Sequence, residues 1–350
     1  MLETLTQQLA ARQPLAADQV ARAVEQLTEE TIAVQTKVDF LVALAQKGET
    51  TEEITAFAAA LREKSIPPPL DAETRAREIL DVVGTGGDRL STFNISTTTA
   101  ILCAAAGVMV AKHGNRAVTS SVGSADVIEA LGIRVDLSPA EAARALREHG
   151  FAFFFAPNYH PAFKNIAPAR KLCAERGQRT IFNILGPLLN PARPSAHLVG
   201  VPRPELCEPM ARALQALGGR RAMVVTGEIG NRKSEIGNYL DEFSTLGPSH
   251  VAEFYQERGF SRSQLSPENF PLQPATLADL RGGDKFVNAE IIRRILRGVE
   301  RGPKRDAVLL NAGAALFVAG KTRSLAEGWD LAGETIDSGK ADRKLAELAG

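Results

Sequence analysis

Between residues 1 and about 66 the apolar positions recur every three to four residues, the period of amphipathic helices, with Thr51 as a cap ahead of "EEITAFAAALREK". "SIPPPLDAET" breaks that period, and its three consecutive prolines make a stiff connector. From Ile79 onward the texture changes. Short apolar runs ("ILDVVGTG", "VMVAKHG", "FAFFFAPN", "RTIFNIL", "RAMVVTG") alternate with helical stretches such as 138–149 and 204–217. That alternation predicts a parallel or mixed sheet flanked by helices. Residues 161–178 are helical in pattern but too polar to cover a sheet, so they are expected to pack back onto the N-terminal helices. Terminal helices are predicted over 285–300 and 322–347, around the apolar stretch "DAVLLNAGAAL". The division that follows is a small helical domain over 1–66, joined by 161–178, and a large α/β domain made of 67–160 and 179–350. The N-terminal helices carry more apolar positions, among them Leu41, Leu44, Ile54, Phe57 and Leu61, than a small free-standing bundle can cover. A homodimer built on them is expected.

Bulk properties narrow the function. With 350 residues and 44% hydrophobic content the chain is long and apolar enough for a globular fold with a large core. Lys plus Arg number 41, as do Asp plus Glu, so no overall basic field points to nucleic acid. Cys103, Cys173 and Cys207 form no C-x-x-C pair and suit a reducing compartment. The first residues are polar and amphipathic without an apolar signal core, and no apolar run approaches a membrane span. A soluble, cytoplasmic protein is expected, with neither nucleic acid nor membrane as partner.

Four stretches carry chemistry. In "DVVGTGGDRLSTFNISTTTA", residues 81–100, Gly84, Gly86 and Gly87 free the backbone to turn and present its N–H groups. Asn94, Ser96, Thr97 and Thr98 then stand at a helix start, the positive end of its dipole. Strand, glycine turn and helix start make either an anion cradle or a plain capped junction. "AKHGNRAVTSSVGSADVIEALG", residues 111–132, repeats the architecture with Lys112, His113, Asn115 and Arg116, then Thr119, Ser120, Ser121, Gly123 and Ser124. Such crowding of cations with hydroxyls and glycines disfavours a merely solvated face, and two cradles would sit side by side at the carboxyl ends of neighbouring strands. Asp241 and Glu242 in "YLDEF" are either a solvated pair or a site for a hard cation such as Mg²⁺ bridging substrate phosphates. Tyr159, His160 and Arg170, in "APNYHPAFKNIAPAR", lie apart from the cradles. His160 reads equally as a turn residue and Arg170 as a surface charge, unless a second substrate brings a carboxylate for Arg170.

Taken together, "VVGTGGD", "FNISTTTA", "KHGNR", "GSADVIEALG", "HPAFKNIAPAR", "RTIFNILGPLLNPA" and "LDE" resemble the anthranilate phosphoribosyltransferases, in family order and nearly family spacing, over residues 1 to about 345. The resemblance implies a nucleoside-phosphorylase-like fold, a mostly parallel α/β domain with a small all-α domain, and a homodimer built on helical-domain contacts. It implies transfer of phosphoribose from phosphoribosyl pyrophosphate to the amine of anthranilate, the second step of tryptophan synthesis from chorismate. Carried over by position, Gly84, Gly87, Asp88, Thr92, Asn94, Ser96 and Thr97 would line the donor site. Lys112, His113, Gly114, Asn115, Arg116, Thr119, Ser120 and Ser124 would complete it. Asp241 and Glu242, with the Ser96 hydroxyl, would hold Mg²⁺, two ions in all, brought partly by the pyrophosphate. Gly84, Asn115 and Arg170 would contact anthranilate, Arg170 through its carboxylate. Lys112, Asp241 and Glu242 would be catalytic.

Three features depart from the pattern: Ser121-Val122 where many members have Lys-Ser, a longer "RKLCAERGQRT", and a polar insertion around 229–238. A pyrimidine nucleoside phosphorylase of the same fold would need a different glycine loop, and a nucleic-acid-binding relative would show basic stripes and a damaged metal site.

Overall fold

The computed structural model describes residues 1–116, 122–230, 239–256 and 259–350. The chain opens with helices α1 (Leu2–Ala10), α2 (Ala17–Thr28), α3 (Val34–Lys47), α4 (Thr51–Glu63) and the short α5 (Ala72–Ala76). Strands and helices then alternate: β1 (Ile79–Gly84), α6 (Ile95–Ala105), β2 (Met109–Gly114), α7 (Ser124–Ala130), α8 (Pro139–His149), β3 (Phe151–Phe155), α9 (Ala156–Tyr159) and α10 (Ala167–Glu175). After these come β4 (Ala196–Gly200), α11 (Cys207–Ala216), β5 (Arg221–Glu228), β6 (Tyr239–Leu240), β7 (Ser249–Tyr255) and β8 (Gly259–Leu265). Four helices close the chain: α12 (Lys285–Leu296), α13 (Pro303–Val318), α14 (Leu325–Asp337) and α15 (Lys340–Ala349). No helix among the described residues is long and apolar enough to cross a membrane.

The sheet runs β3-β2-β1-β4-β5-β7-β8, with β6 paired to β5. β3, β2, β1, β4 and β5 are parallel; β6, β7 and β8 are antiparallel. From β1 the chain moves outward to β2 and β3, then returns to place β4 on the other side of β1. This reversal is a topological switch point, and a crevice opens there at the carboxyl ends of the strands. Alternate strand residues face opposite layers: Leu80, Val82, Val110 and Leu198 pack under α6 and α13, while Val199, Val224 and Phe254 face α11.

The second layer is continuous with the helical bundle. Leu41, Leu44, Ile54, Phe57 and Leu61 are buried in one cluster with Ile166, Cys173, Leu188, Met210 and Val224. α10 packs on α3, and α4 on α11. The apolar surplus of the N-terminal helices is thus covered within one chain by the sheet layer, and it gives no ground for a homodimer. Thr50, not Thr51, caps α4: its hydroxyl accepts from the Glu53 amide, and the Glu53 carboxylate returns to the Thr50 N–H.

The run at 179–185 is not a strand. Ile181–Asn183 form a 3₁₀ turn, and Ile181, Leu185, Leu188 and Leu189 recur at helical rather than alternating spacing, all into the same cluster. "DAVLLNAGAAL" lies in α13, buried almost all round against α6 and α14.

Candidate active site

A cavity of about 500 Å³ opens at the switch point, over the carboxyl ends of β1 and β2. Its walls come from the two glycine-rich loops, the start of α6, Asp241-Glu242, the 182–189 segment and Arg170.

The first loop leaves β1 at Gly84 and turns through Gly86 and Gly87, whose φ angles of 70° and 89° lie in the left-handed region that favours glycine. Arg89 and Ser91 also sit at positive φ (63° and 55°), local strain of the kind held at functional sites. Arg179 donates to the Gly87 carbonyl at 2.8 Å, and Gly282 N–H to the Ser91 carbonyl at 3.0 Å, so the loop is clamped from two sides. Thr92 bridges to Arg281 in the same way. Arg179 opens the "RTIFNILGPLLNPA" motif, but the sequence alone assigns it no role.

Asn94 stands at the N-cap of α6 but does not cap it. Its side-chain oxygen accepts from Asn288 Nδ2 at 2.9 Å, which leaves the helix-end amides to other acceptors. The Ser96 amide donates to Glu242 Oε1 at 3.0 Å. Thr97 is fully buried with its hydroxyl unpartnered, so it stands behind the cavity and does not line it.

Asp241 follows β6, which pairs β5, two strands from β1. Its Oδ2 accepts from Gly86 N–H at 2.7 Å. Glycine at 200, the end of β4, is what admits it, because a Cβ there would collide with the Asp241 carbonyl. Burial, then the charges of Asp88 and Glu242, push the Asp241 carboxyl well above its usual range. Burial likewise pushes Glu242 up to about 8 against the pull of Lys112. One oxygen of Asp88 is buried and unpartnered. Three acids therefore share the pocket with one close ammonium.

That ammonium is Lys112, almost completely buried, with Nζ 2.6 Å from the Val82 carbonyl and 3.5 Å from Ser96 Oγ. Burial lowers its proton affinity, and Asp81 and Glu242 raise it. Among the described residues no three potential ligands surround one point. Oxygen donors from one or two carboxylates, with excess negative charge and an orphaned carboxylate oxygen, fit Mg²⁺, which keeps its waters and shares substrate phosphates.

His113 and His160 serve the cavity wall. His113 Nδ1 meets the Gly186 carbonyl at 3.2 Å, and His160 Nε2 the Leu189 carbonyl at 3.0 Å. Burial lowers them to about 3 and about 4, so both rings are neutral at pH 7. Gly114, Asn115 and Ser124 line the cavity, the Ser124 hydroxyl reaching the Asn115 carbonyl at 3.4 Å. Arg116 lies at its rim but commits its guanidinium to Asp126 and Glu129. Thr119, Ser120 and Ser121 lie outside the described residues, as do 231–238 of the insertion.

Arg170, in the first turn of α10, is half-buried in the cavity wall. Its guanidinium stacks over the Phe182 ring at 5.5 Å and has no carboxylate partner among the described residues. A desolvated arginine without an anion, over an aromatic floor, is arranged for a flat carboxylate.

Two family models cover nearly the whole chain: the helical bundle domain of a glycosyl transferase family over residues 3–65, and the a/b domain of the same family over 76–342. The anthranilate phosphoribosyltransferase of Petrotoga mobilis is 46% identical over 334 residues, 95% of this chain and 92% of that one. This chain belongs to the anthranilate phosphoribosyltransferase family. The Thermus thermophilus family member matches with a TM-score of 0.86 at 40% identity, over 99% of this chain and 98% of that one. The Saccharomyces cerevisiae family member, in complex with PRPP and Mg, matches at 0.85 and 28% identity, over 99% and 96%.

Proposed function

We propose that the cavity transfers the phosphoribosyl group of phosphoribosyl pyrophosphate to the amine of anthranilate, releasing pyrophosphate, the second step of tryptophan synthesis from chorismate. Family membership supports the reaction. The observation that supports its placement is the division of charge: acids, ammonium and helix end meet at the first glycine loop, while Arg170, stacked on Phe182, has no carboxylate partner among the described residues.

The donor's phosphates belong on the first side, among the amides of Gly84–Gly87, Asn94, Ser96 and the Lys112 ammonium. Asp241, Glu242 and the Ser96 hydroxyl would hold Mg²⁺, two ions brought partly by the pyrophosphate. Mg²⁺ there would neutralise charge gathering on the departing pyrophosphate. Lys112 and the α6 end stabilise that same charge as the bond to the anomeric carbon breaks. Glu242 meanwhile occupies the Ser96 amide, so a phosphate oxygen must compete with it or displace it. Arg170 and Asn115 orient the acceptor by its carboxylate. The aromatic amine is neutral at pH 7 and already nucleophilic, so no strong base is required, and His113 and His160 are left to hold the wall. Approach of the helical side would exclude water from the sugar.

A homodimer is part of the same reading on family resemblance alone. A cytoplasmic setting agrees with three buried free cysteines. The deciding experiment follows anthranilate fluorescence with phosphoribosyl pyrophosphate and Mg²⁺ present. Consumption dependent on all three components is expected; none would mean another acceptor.

A further inference from the structure

β1 and β2 begin as parallel partners and then part. Ile79 pairs with Met109 and Leu80 with Val110, and the register stops there. Each strand continues paired on its other side, β1 with β4 to Gly84 and β2 with β3 to Gly114. Continued pairing would put Val82 opposite Lys112, joining the Val82 amide to the Ala111 carbonyl and the His113 amide to the Val82 carbonyl.

Three of those four backbone groups are instead met by side chains. The buried Asp81 carboxylate accepts from the His113 amide at 3.3 Å. Asn190 Nδ2 donates both to Asp81 Oδ2 at 2.8 Å and to the Ala111 carbonyl at 2.7 Å. The Val82 carbonyl, released from the ladder, takes the Lys112 ammonium at 2.6 Å. Asn190 is itself set by the Ala192 amide on its Oδ1 at 2.9 Å. Buried backbone polar groups must be paired, so this substitution is a built local solution and not a frayed edge. It also fixes which way each polar group points.

We infer that the buried Asp81–Asn190 pair is a positioning device, a wedge that parts β1 from β2 and frees the Val82 carbonyl to anchor Lys112 beside Ser96. Asp81 touches no substrate. It diverts the His113 amide that would otherwise claim the anchor, and acts on the reaction through Lys112. The parted strands also separate the two glycine loops that leave them.

The first test is the crystal structure of Lys112→Met. The wedge predicts that β1 and β2 stay parted beyond Leu80 and Val110, with Asn190 still bridging Asp81 and Ala111. A ladder closed through residues 82 and 112 would overturn it, since Lys112 would then be what holds the strands apart. The second test rests on the phosphoribosyl-transfer reading. It measures binding of phosphoribosyl pyrophosphate with Mg²⁺ by calorimetry; a wild type that binds none overturns that reading, while the structural test still decides the wedge. Asp81→Asn keeps the size of the side chain but replaces one acceptor with a donor, facing either the His113 amide or Asn190. It should weaken donor binding roughly tenfold or more. The KM for anthranilate should stay within about twofold, and in a Lys112→Met background the same change should cost less than about twofold. Equal losses in both backgrounds, or equal losses for both substrates, would overturn the inference. Should Asp81→Asn not fold, the Lys112→Met structure decides.

Discussion

The Asp241 carboxylate accepts the Gly86 N–H at 2.7 Å across a gap of 155 positions in the chain. One oxygen of the acid is thereby tied to the glycine loop that is to hold phosphate, so metal and phosphate are positioned by the same contact. The approach depends on Gly200, where any Cβ collides with backbone and not with a movable side-chain tip. Gly200→Ala should displace Asp241 at a cost of about 1–3 kcal/mol of overpacking. Turnover at saturating donor should fall roughly ten- to a hundredfold. Steady-state kinetics beside a thermal melt would check this; unchanged turnover would free Asp241 from its assigned place.

Asp241→Ala with Glu242→Ala should abolish Mg²⁺-dependent turnover and leave the metal-free fold at least as stable as the wild type. The stability follows from burial: both carboxyls are pushed up chiefly because their charges are desolvated. A calorimetric melt without metal and an assay with it would separate the two effects.

The same shifts set a pH dependence. Glu242 rises from 4.5 in an unperturbed chain to about 8 in the fold, and Asp241 moves the same way. A raised folded-state value means the folded protein holds the proton more tightly, so this stabilisation is full below 4.5 and lost as pH rises through about 8. Mg²⁺ needs the ionised form, so its stabilising effect should grow over that interval. The Tm difference with and without saturating Mg²⁺ should widen from about pH 6 to about pH 8.5. It should be flat in the double alanine variant. His113, His160 and His197 are lowered from 6.5 to about 3, about 4 and about 3, chiefly by burial. Their contribution has the opposite sign, present above pH 6.5 and lost as pH falls toward 3–4. A Tm difference that narrows with rising pH would contradict the assignment of the acids to the metal.

Arg170→Ala should raise the KM for anthranilate by about ten- to a hundredfold, the worth of a charge-assisted contact of roughly 1.5–3 kcal/mol. Donor KM should hardly change, because the donor's phosphates are assigned to the glycine loops and Lys112. Arg170→Lys should recover little, since a point charge neither forks onto a carboxylate nor lies flat on Phe182 in the same way. Equal weakening of both substrates would make Arg170 a support for the whole site.

The parallel strands β1, β2, β3 and β5 were legible because strands buried on both faces read as unbroken apolar runs. β4 is five residues long and carries His197, and β8 exposes most of its side chains, so neither stands out. The glycine loops announce themselves through residue types with few other uses. Asn288 does not, since its partner Asn94 is 194 positions away and no local pattern joins them. Asp81 was visible as a lone charge inside an apolar strand, and only the parted ladder shows what it is for. The Asp241-Glu242 pair was legible as chemistry and illegible as geometry, because Gly200 rather than its own neighbours decides where it sits.

Arg62, on the last turn of α4, donates to the carbonyls of Leu188 at 2.5 Å and Leu217 at 3.3 Å. His113 and His160 hold the carbonyls on either side, those of Gly186 and Leu189. A short length of cavity wall is therefore gripped at once by a bundle helix, a sheet strand and the segment that leads from α9 to α10. For anyone building chimeras within the family, residues 1–65 are not a portable part. A bundle transplanted from a relative arrives with its own arginine geometry and inherits a foreign 186–189, so an acceptor-site defect would trace to a junction nowhere near the splice. The natural unit of exchange is discontinuous, bundle plus wall, and recombination that respects only the linear boundary will cut through the active site without touching one of its residues.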